Sequence, residues 1–301
     1  MDFWNINLPA QVKAGRYFLG MNRRSFIQLG IFLSGIILPM NSWARKKQKT
    51  TIRLLRHATV VIELNGIKFL VDPMLSAKDA MDPVKNAAND LRIPLVDLPI
   101  SSEAMNKIIS DVDAVIVTHT HRDHWDAVAQ KDIPKDKLLL VQPSDEEAIR
   151  KQGFEKVSAV NVSTEFKGLQ ITRTDGQHGS GEIGLRMGKV SGFIVSNGKI
   201  KIYVAGDTIW CSEVEQAIQK HQPDIIIVNA GEARFLQGDP ITMGASDIVN
   251  VSKAAPKAKI IAVHMDTINH CLLTRSKLKK ALDEVSVKGI AIPQDGELIE
   301  V

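Results

Sequence analysis

His119-Thr120-His121-Arg122-Asp123-His124-Trp125-Asp126 places three imidazoles and a carboxylate within six positions, 119 to 124. Immediately before it runs Ala114-Val115-Ile116-Val117, a short apolar segment that reads as a buried strand. The histidines therefore fall where a core strand passes into a loop, a rigid place from which to hang ligands. Neutral imidazole nitrogen and carboxylate oxygen are donors that zinc accepts. Alternate residues of an extended chain point apart, so a turn after the strand has to fold His119 and His121 towards a shared centre. Asp123 and His124, adjacent in sequence, more easily serve a neighbouring centre. The plain alternative is a polar surface loop, and this density of His and Asp straight after an apolar strand speaks against it.

Three later positions repeat the logic. Gly176-Gln177-His178-Gly179 follows an apolar segment ending near Arg173, Gly206-Asp207-Thr208 follows residues 202–205, and His264 follows residues 260–263. Each puts one donor just past a strand end, and in the first two a glycine lets the backbone turn tightly. Singly, such a residue is more often a cap or a turn; jointly with 119–124 the four places form a ligand set.

The rest of the chain reads as strands and helices that carry these ends. Residues 51–55, 60–64 and 67–71 are β-rich, with Asn65-Gly66 as a hairpin turn, and Asn197-Gly198 marks a second hairpin between 192–196 and 201–205. Residues 138–141, 157–162, 169–173, 225–228 and 260–263 also read as strands. Helices are expected over 144–152, 212–221, 245–254 and 274–285. Residues 74–104, with Pro83, Pro94 and Pro99, read as a long excursion; its part from 74 to 99 is expected to wall the pocket. Strand-rich halves, each followed by helices, suggest two sheets face to face with helices outside.

Composition narrows the function. Residues 1–44 hold Lys13, Arg16, Arg23 and Arg24 against Asp2, a net of +3, so the formal +4 of the whole chain leaves +1 for the remainder. That is no nucleic-acid surface. Two cysteines, Cys211 and Cys271, can pair in an oxidising compartment but are too few for a disulfide framework. Asn22-Arg23-Arg24-Ser25-Phe26-Ile27-Gln28 resembles the twin-arginine export motif; an apolar run, 29–38, and Ser42-Trp43-Ala44, a small-x-small cleavage pattern, follow it. Residues 1–44 are therefore expected to be an export signal, read by the export machinery and leading to the periplasm, or else kept uncleaved as a membrane anchor. Residues 51–301 are expected to be the working domain. Met21 is an alternative start.

His-x-His-x-Asp-His, a later His, Gly-Asp-Thr and a final His, in that order, resemble the metallo-beta-lactamase superfamily of hydrolases. The likeness spans nearly all of residues 51–301. His57-Ala58-Thr59, Asp72-Pro73 and Gln294-Asp295-Gly296-Glu297 resemble the branch with L-ascorbate 6-phosphate lactonase and N-acyl-phosphatidylethanolamine phospholipase D. The resemblance implies an αββα four-layer sandwich with metals at one edge of the sheets. It implies that His119, His121 and His178 hold one ion, that Asp123, His124 and His264 hold a second, and that Asp207 bridges both. Redox di-iron members carry glutamate where this chain has Thr120, which favours zinc and hydrolysis, with manganese or iron as alternatives. A water shared by two such ions ionises near neutral pH and attacks a small ester, lactone or phosphodiester. Asp123 is expected to orient that hydroxide, and His270 to protonate a leaving group or orient the substrate, unless it bonds to a ligand instead. His57, Asn229, Glu232 and Arg234 are placed near the same edge; Trp125 and Trp210 are expected to pack, and Arg92 to meet an anion or lie on the surface. The rival from another class is a metal-holding binding or scaffold protein without turnover.

Overall fold

A computed structural model describes residues 50–301, and the expected export segment, 1–44, lies outside the described residues. β1 (Thr51–Arg56), β2 (Thr59–Leu64) and β3 (Ile67–Val71) form an antiparallel run. Asn65 and Gly66 both take positive φ, 55° and 77°, as a two-residue hairpin turn requires. β4 (Ala114–Val117), β5 (Leu138–Val141) and β6 (Val157–Ala159) continue the sheet in parallel. The other edge is closed by β14 (Leu298–Glu300), antiparallel to β1. The second sheet begins with β7 (Ser163–Phe166), β8 (Leu169–Asp175), β9 (Ser191–Ser196) and β10 (Lys201–Val204), all antiparallel. β11 (Ile225–Asn229), β12 (Lys259–Val263) and β13 (Ile290–Ala291) extend it in parallel. Among the described residues each sheet has seven strands.

Alternation along the strands builds the layers. Ile52, Leu54, Phe69 and Ile116 of the first sheet meet Ile171, Phe193, Val204 and Ile227 of the second in one buried core. The intervening residues face outward on to helices. Val115, Val117 and Leu139 pack with Met105 and Ile109 of α1 (Ser102–Asp111), Ala129 of α2 (Ala127–Asp132) and Ile149 of α3 (Glu146–Lys151). Tyr203, Ile226 and Ala262 pack with α5 (Ser212–His221), α6 (Ala245–Ala254) and α7 (Arg275–Glu284). Burial on both faces explains why these strands are continuous apolar runs. The architecture is the αββα sandwich.

Three helices and three strands were not expected from the sequence: α1, α2, α4 (Gly181–Met187), β7, β13 and β14. Ser101 caps α1 by accepting from Ala104 N at 3.2 Å, so the irregular stretch ends three residues earlier than expected. Before it, the excursion is tied down by polar groups. Arg56, fully buried, donates to the carbonyls of Met74, Ser76 and Val96, and Asp126 Oδ2 accepts from Leu75 N, Ser76 N and Ser76 Oγ.

Candidate active site

The octad is folded by its own backbone: His124 N and Trp125 N both donate to His121 O, at 2.9 Å. At the strand end Thr118 N and Oγ1 donate to Asp72 at 2.8 and 2.7 Å. His119 Nδ1 lies 3.1 Å from that hydroxyl and His124 Nδ1 2.9 Å from Asp72 Oδ2. A hydroxyl that gives its proton to Asp72 can only accept from His119. One buried carboxylate therefore fixes two rings with Nδ1 protonated and the Nε2 lone pair turned inward. The carbonyl of Ile241 does the same for His178, at 2.8 Å from Nδ1. His264 Nδ1 faces Cys271 Sγ at 3.6 Å.

The inward atoms converge. His121 Nδ1 is 3.0 Å from His119 Nε2 and 3.3 Å from His178 Nε2. His124 Nε2 and His264 Nε2 are 3.2 Å apart, each 3.6 Å from Asp123 Oδ2. Asp207 stands between the groups: Oδ2 is 3.1 Å from His124 Nε2, 3.6 Å from His178 Nε2 and 3.9 Å from His119 Nε2, and Oδ1 is 3.2 Å from His264 Nε2. All seven side chains expected as ligands thus meet, and His57 joins them, its Nε2 3.2 Å from Asp123 Oδ2 and its ring 3.6 Å from that of His264. Three nitrogens aimed at one point cannot all be satisfied by a shared proton, whereas a divalent cation accepts all three lone pairs. The donor set fits such ions.

The charges agree. Burial resists ionisation of Asp207 and Asp123, yet His124 and its neighbours hold both carboxyls well below the usual range. Burial also works against charge on His124, but Asp207, Asp123 and Asp72 outweigh it and hold that ring at about 10. Burial, with the surrounding imidazoles, pushes His119 well below the ordinary value. The carboxylates thus favour the charged form of His124 and His264, while burial favours the neutral form of His119 and His178. Backbone strain collects at the same strand ends: His57, Asp72 and His264 have φ of 59°, 44° and 71°, a region that residues other than glycine rarely occupy. Gly206, φ 71°, supplies the fourth such turn and directs Asp207.

Above these residues opens a cavity of about 520 Å³. His121, Asp123, His178 and Asp207 line it together with Val84, Met187, Phe235, Ile241 and His270, and with exposed Lys85 and Arg122. A larger hollow, about 720 Å³, beside Ile109 and Lys137, contains no imidazole. His270 is buried, its Nδ1 has no hydrogen-bond partner among the described residues, and burial lowers its pKa to about 4.

The family model of the beta-lactamase superfamily domain matches residues 51–264. The chain belongs to the metallo-beta-lactamase superfamily. Its relatives in that superfamily include UPF0173 protein YddR of Bacillus subtilis (strain 168), 42% identical over 251 residues, 82% of this chain and 98% of YddR. The crystal structure of a "possible metal-dependent hydrolase" from Veillonella parvula DSM 2008 superposes with a TM-score of 0.80 at 38% identity, covering 84% of this chain and 99% of that one. That of an isothiocyanate hydrolase from Delia radicum gut bacteria gives 0.78 at 40% identity, over 83% and 98%. The likeness to the lactonase and phospholipase branch goes no further than the motifs quoted above.

Other residues of this superfamily member divide between the site and its scaffold. Asn229 donates to Asp207 Oδ1 at 2.7 Å. Glu232 and Arg234 pair with each other at 2.6 Å. Arg92 braces its own segment, bonding to Asp79 O, Ala80 O and Asp82. Trp125 packs on Phe154, as expected, and donates to Gln152. Cys211 and Cys271 are both free thiols. The sequence marks Asp72 only as a strand end and through a family likeness, and Asp126 only as the last residue of the octad. A carboxylate just after each of two strand-end segments was the available signal.

Proposed function

We propose that the chain is a metal-dependent hydrolase of small molecules that carries two divalent ions, zinc foremost. His119, His121 and His178 would hold one ion, Asp123, His124 and His264 the other, and Asp207 would serve both. The observation that carries this reading is Asp207 within 3.1 to 3.9 Å of nitrogens from both groups at the base of a cavity. Bound ions of this kind acidify water towards neutral pH and offset the charge that develops on the attacked group. The chain's residues do the rest. Asp123, which lines the cavity and is braced through Oδ2 by His57 Nε2, is placed to orient a water beside it. With its pKa near 4, His270 is neutral at physiological pH, which suits hydrogen bonding to a substrate better than proton donation. Val84, Met187, Phe235 and Ile241 favour a substrate with an apolar body. Isothiocyanates, esters and lactones present an electrophilic carbon on such a body, and the relative from Delia radicum gut bacteria is a hydrolase of the first.

Elemental analysis of purified protein tests the metals, and a panel of isothiocyanates, esters, lactones and bis(p-nitrophenyl) phosphate tests the chemistry. About two equivalents per chain are expected, with turnover lost on chelation and restored by zinc. Asp207→Ala should cost both equivalents, while Asp123→Ala loosens only one. One tight equivalent with full activity would remove the two-ion reading, and a fully metallated chain that turns over nothing would favour the scaffold instead.

A further inference from the structure

The excursion between β3 and α1 is closed on itself at its neck, by the Met81–Ile93 β-bridge, by Asp79 N donating to Pro94 O at 2.9 Å, and by Arg92. It presents residues 82–86 to the cavity. Much of what holds that stretch comes from one buried side chain on another loop. Asn269 Oδ1 accepts from Val84 N at 2.9 Å, and its Nδ2 donates to Val84 O at 3.1 Å and to Asn89 O at 2.8 Å. Asn89 Nδ2 returns a bond to Asn269 O at 3.0 Å. The amide satisfies both backbone groups of Val84, as a neighbouring strand would. Leu95 N to Thr267 O, 2.8 Å, and Leu236 N to Asn86 O, 2.7 Å, tie neighbouring points, but among the described residues the backbone groups of Val84 bond to Asn269 alone. Asn269 adjoins His270, which lines the same cavity, and shares its loop with His264.

We propose that Asn269 is the positioning residue that sets the width of the substrate cavity, and so which apolar bodies it admits, by clasping the 82–89 wall to the loop that carries His264 and His270. The inference rests on reading this cavity as the substrate site. Aspartate at 269 keeps an acceptor for Val84 N and loses both donors; alanine loses all three side-chain bonds.

The test compares zinc-loaded wild type, Asn269→Asp and Asn269→Ala on p-nitrophenyl esters and alkyl isothiocyanates of increasing chain length. Metal content and hydrogen exchange across 82–89 are read alongside. In Asn269→Ala the metal content should hold and exchange should quicken by about tenfold or more. KM for the longest substrates should rise about tenfold while kcat falls less than about threefold, flattening the preference along each series. Asn269→Asp should lie between. Unaltered exchange overturns the clasp; loss of metal, or an equal fall in kcat/KM for every length, overturns the specificity role and leaves a structural one. If wild type turns over neither series, esters and isothiocyanates are excluded as substrates and the specificity role falls with them, while exchange with metal content still decides whether Asn269 holds the wall.

Discussion

Asp72 accepts from Thr118 and His124 and, through the Thr118 hydroxyl, reaches His119, so removing it frees two rings to rotate or change tautomer. Asp72→Ala should weaken metal binding by roughly 10- to 100-fold, read by competition with a chromogenic chelator, although Asp72 is not among the expected ligands. Unaltered affinity would mean that packing alone orients the imidazoles. His270 offers a pH signature. Its ordinary value of 6.5 falls to about 4 on burial, so on acidification the unfolded chain takes up the proton first. The neutral ring's contribution is complete above pH 6.5 and lost as pH falls through 4. It amounts to on the order of 3 kcal/mol. Thermal melts of metal-stripped protein should therefore weaken less steeply with acid in His270→Asn than in wild type. Parallel curves would place the ring's proton elsewhere.

At the scale of elements, the strands that end at the site were the readable ones. β4, β11 and β12 are buried on both faces, which makes them short unbroken apolar runs, and α5 and α6 begin and end where the sequence placed them. α2 and α4, of six and seven residues, are too short to show a helical period, and β13 and β14 are strands only because distant partners pair with them. The candidate ligands were legible because strand ends gather donors. The Asn269 clasp was not, because its meaning depends on a contact with residues 84–89 that no local pattern announces. Glycine makes the strand-end turns at Gly179 and Gly206, as expected, whereas His264, His57 and Asp72 take the left-handed conformation themselves. Gly206→Ala should be costly twice over: φ is +71° and the added Cβ would meet Ser191 O at 2.8 Å. Roughly 2 kcal/mol or more of stability should go, by denaturant melts, together with metal retention, because Asp207 follows directly.

For the whole molecule, charge and targeting are separable. We propose that residues 1–44 direct export by the twin-arginine route, with cleavage after Ala44, on the strength of Arg23-Arg24 ahead of a modest apolar run. Replacing both arginines with lysine should leave precursor in the cytoplasm, seen by fractionation and immunoblot; mature protein still reaching the periplasm would refute the route. The pairing of β14 with β1 has its own consequence. β1 is among the first parts of the domain to leave the ribosome, yet the strand that covers its outer edge is among the last. Until residues 298–300 have emerged the nascent chain carries an open ladder of unpaired amides and carbonyls, which invites β1 of one chain to pair with another. Clipping residues 297–301 would make that interval permanent, turning a transient hazard of synthesis into a lasting tendency to aggregate.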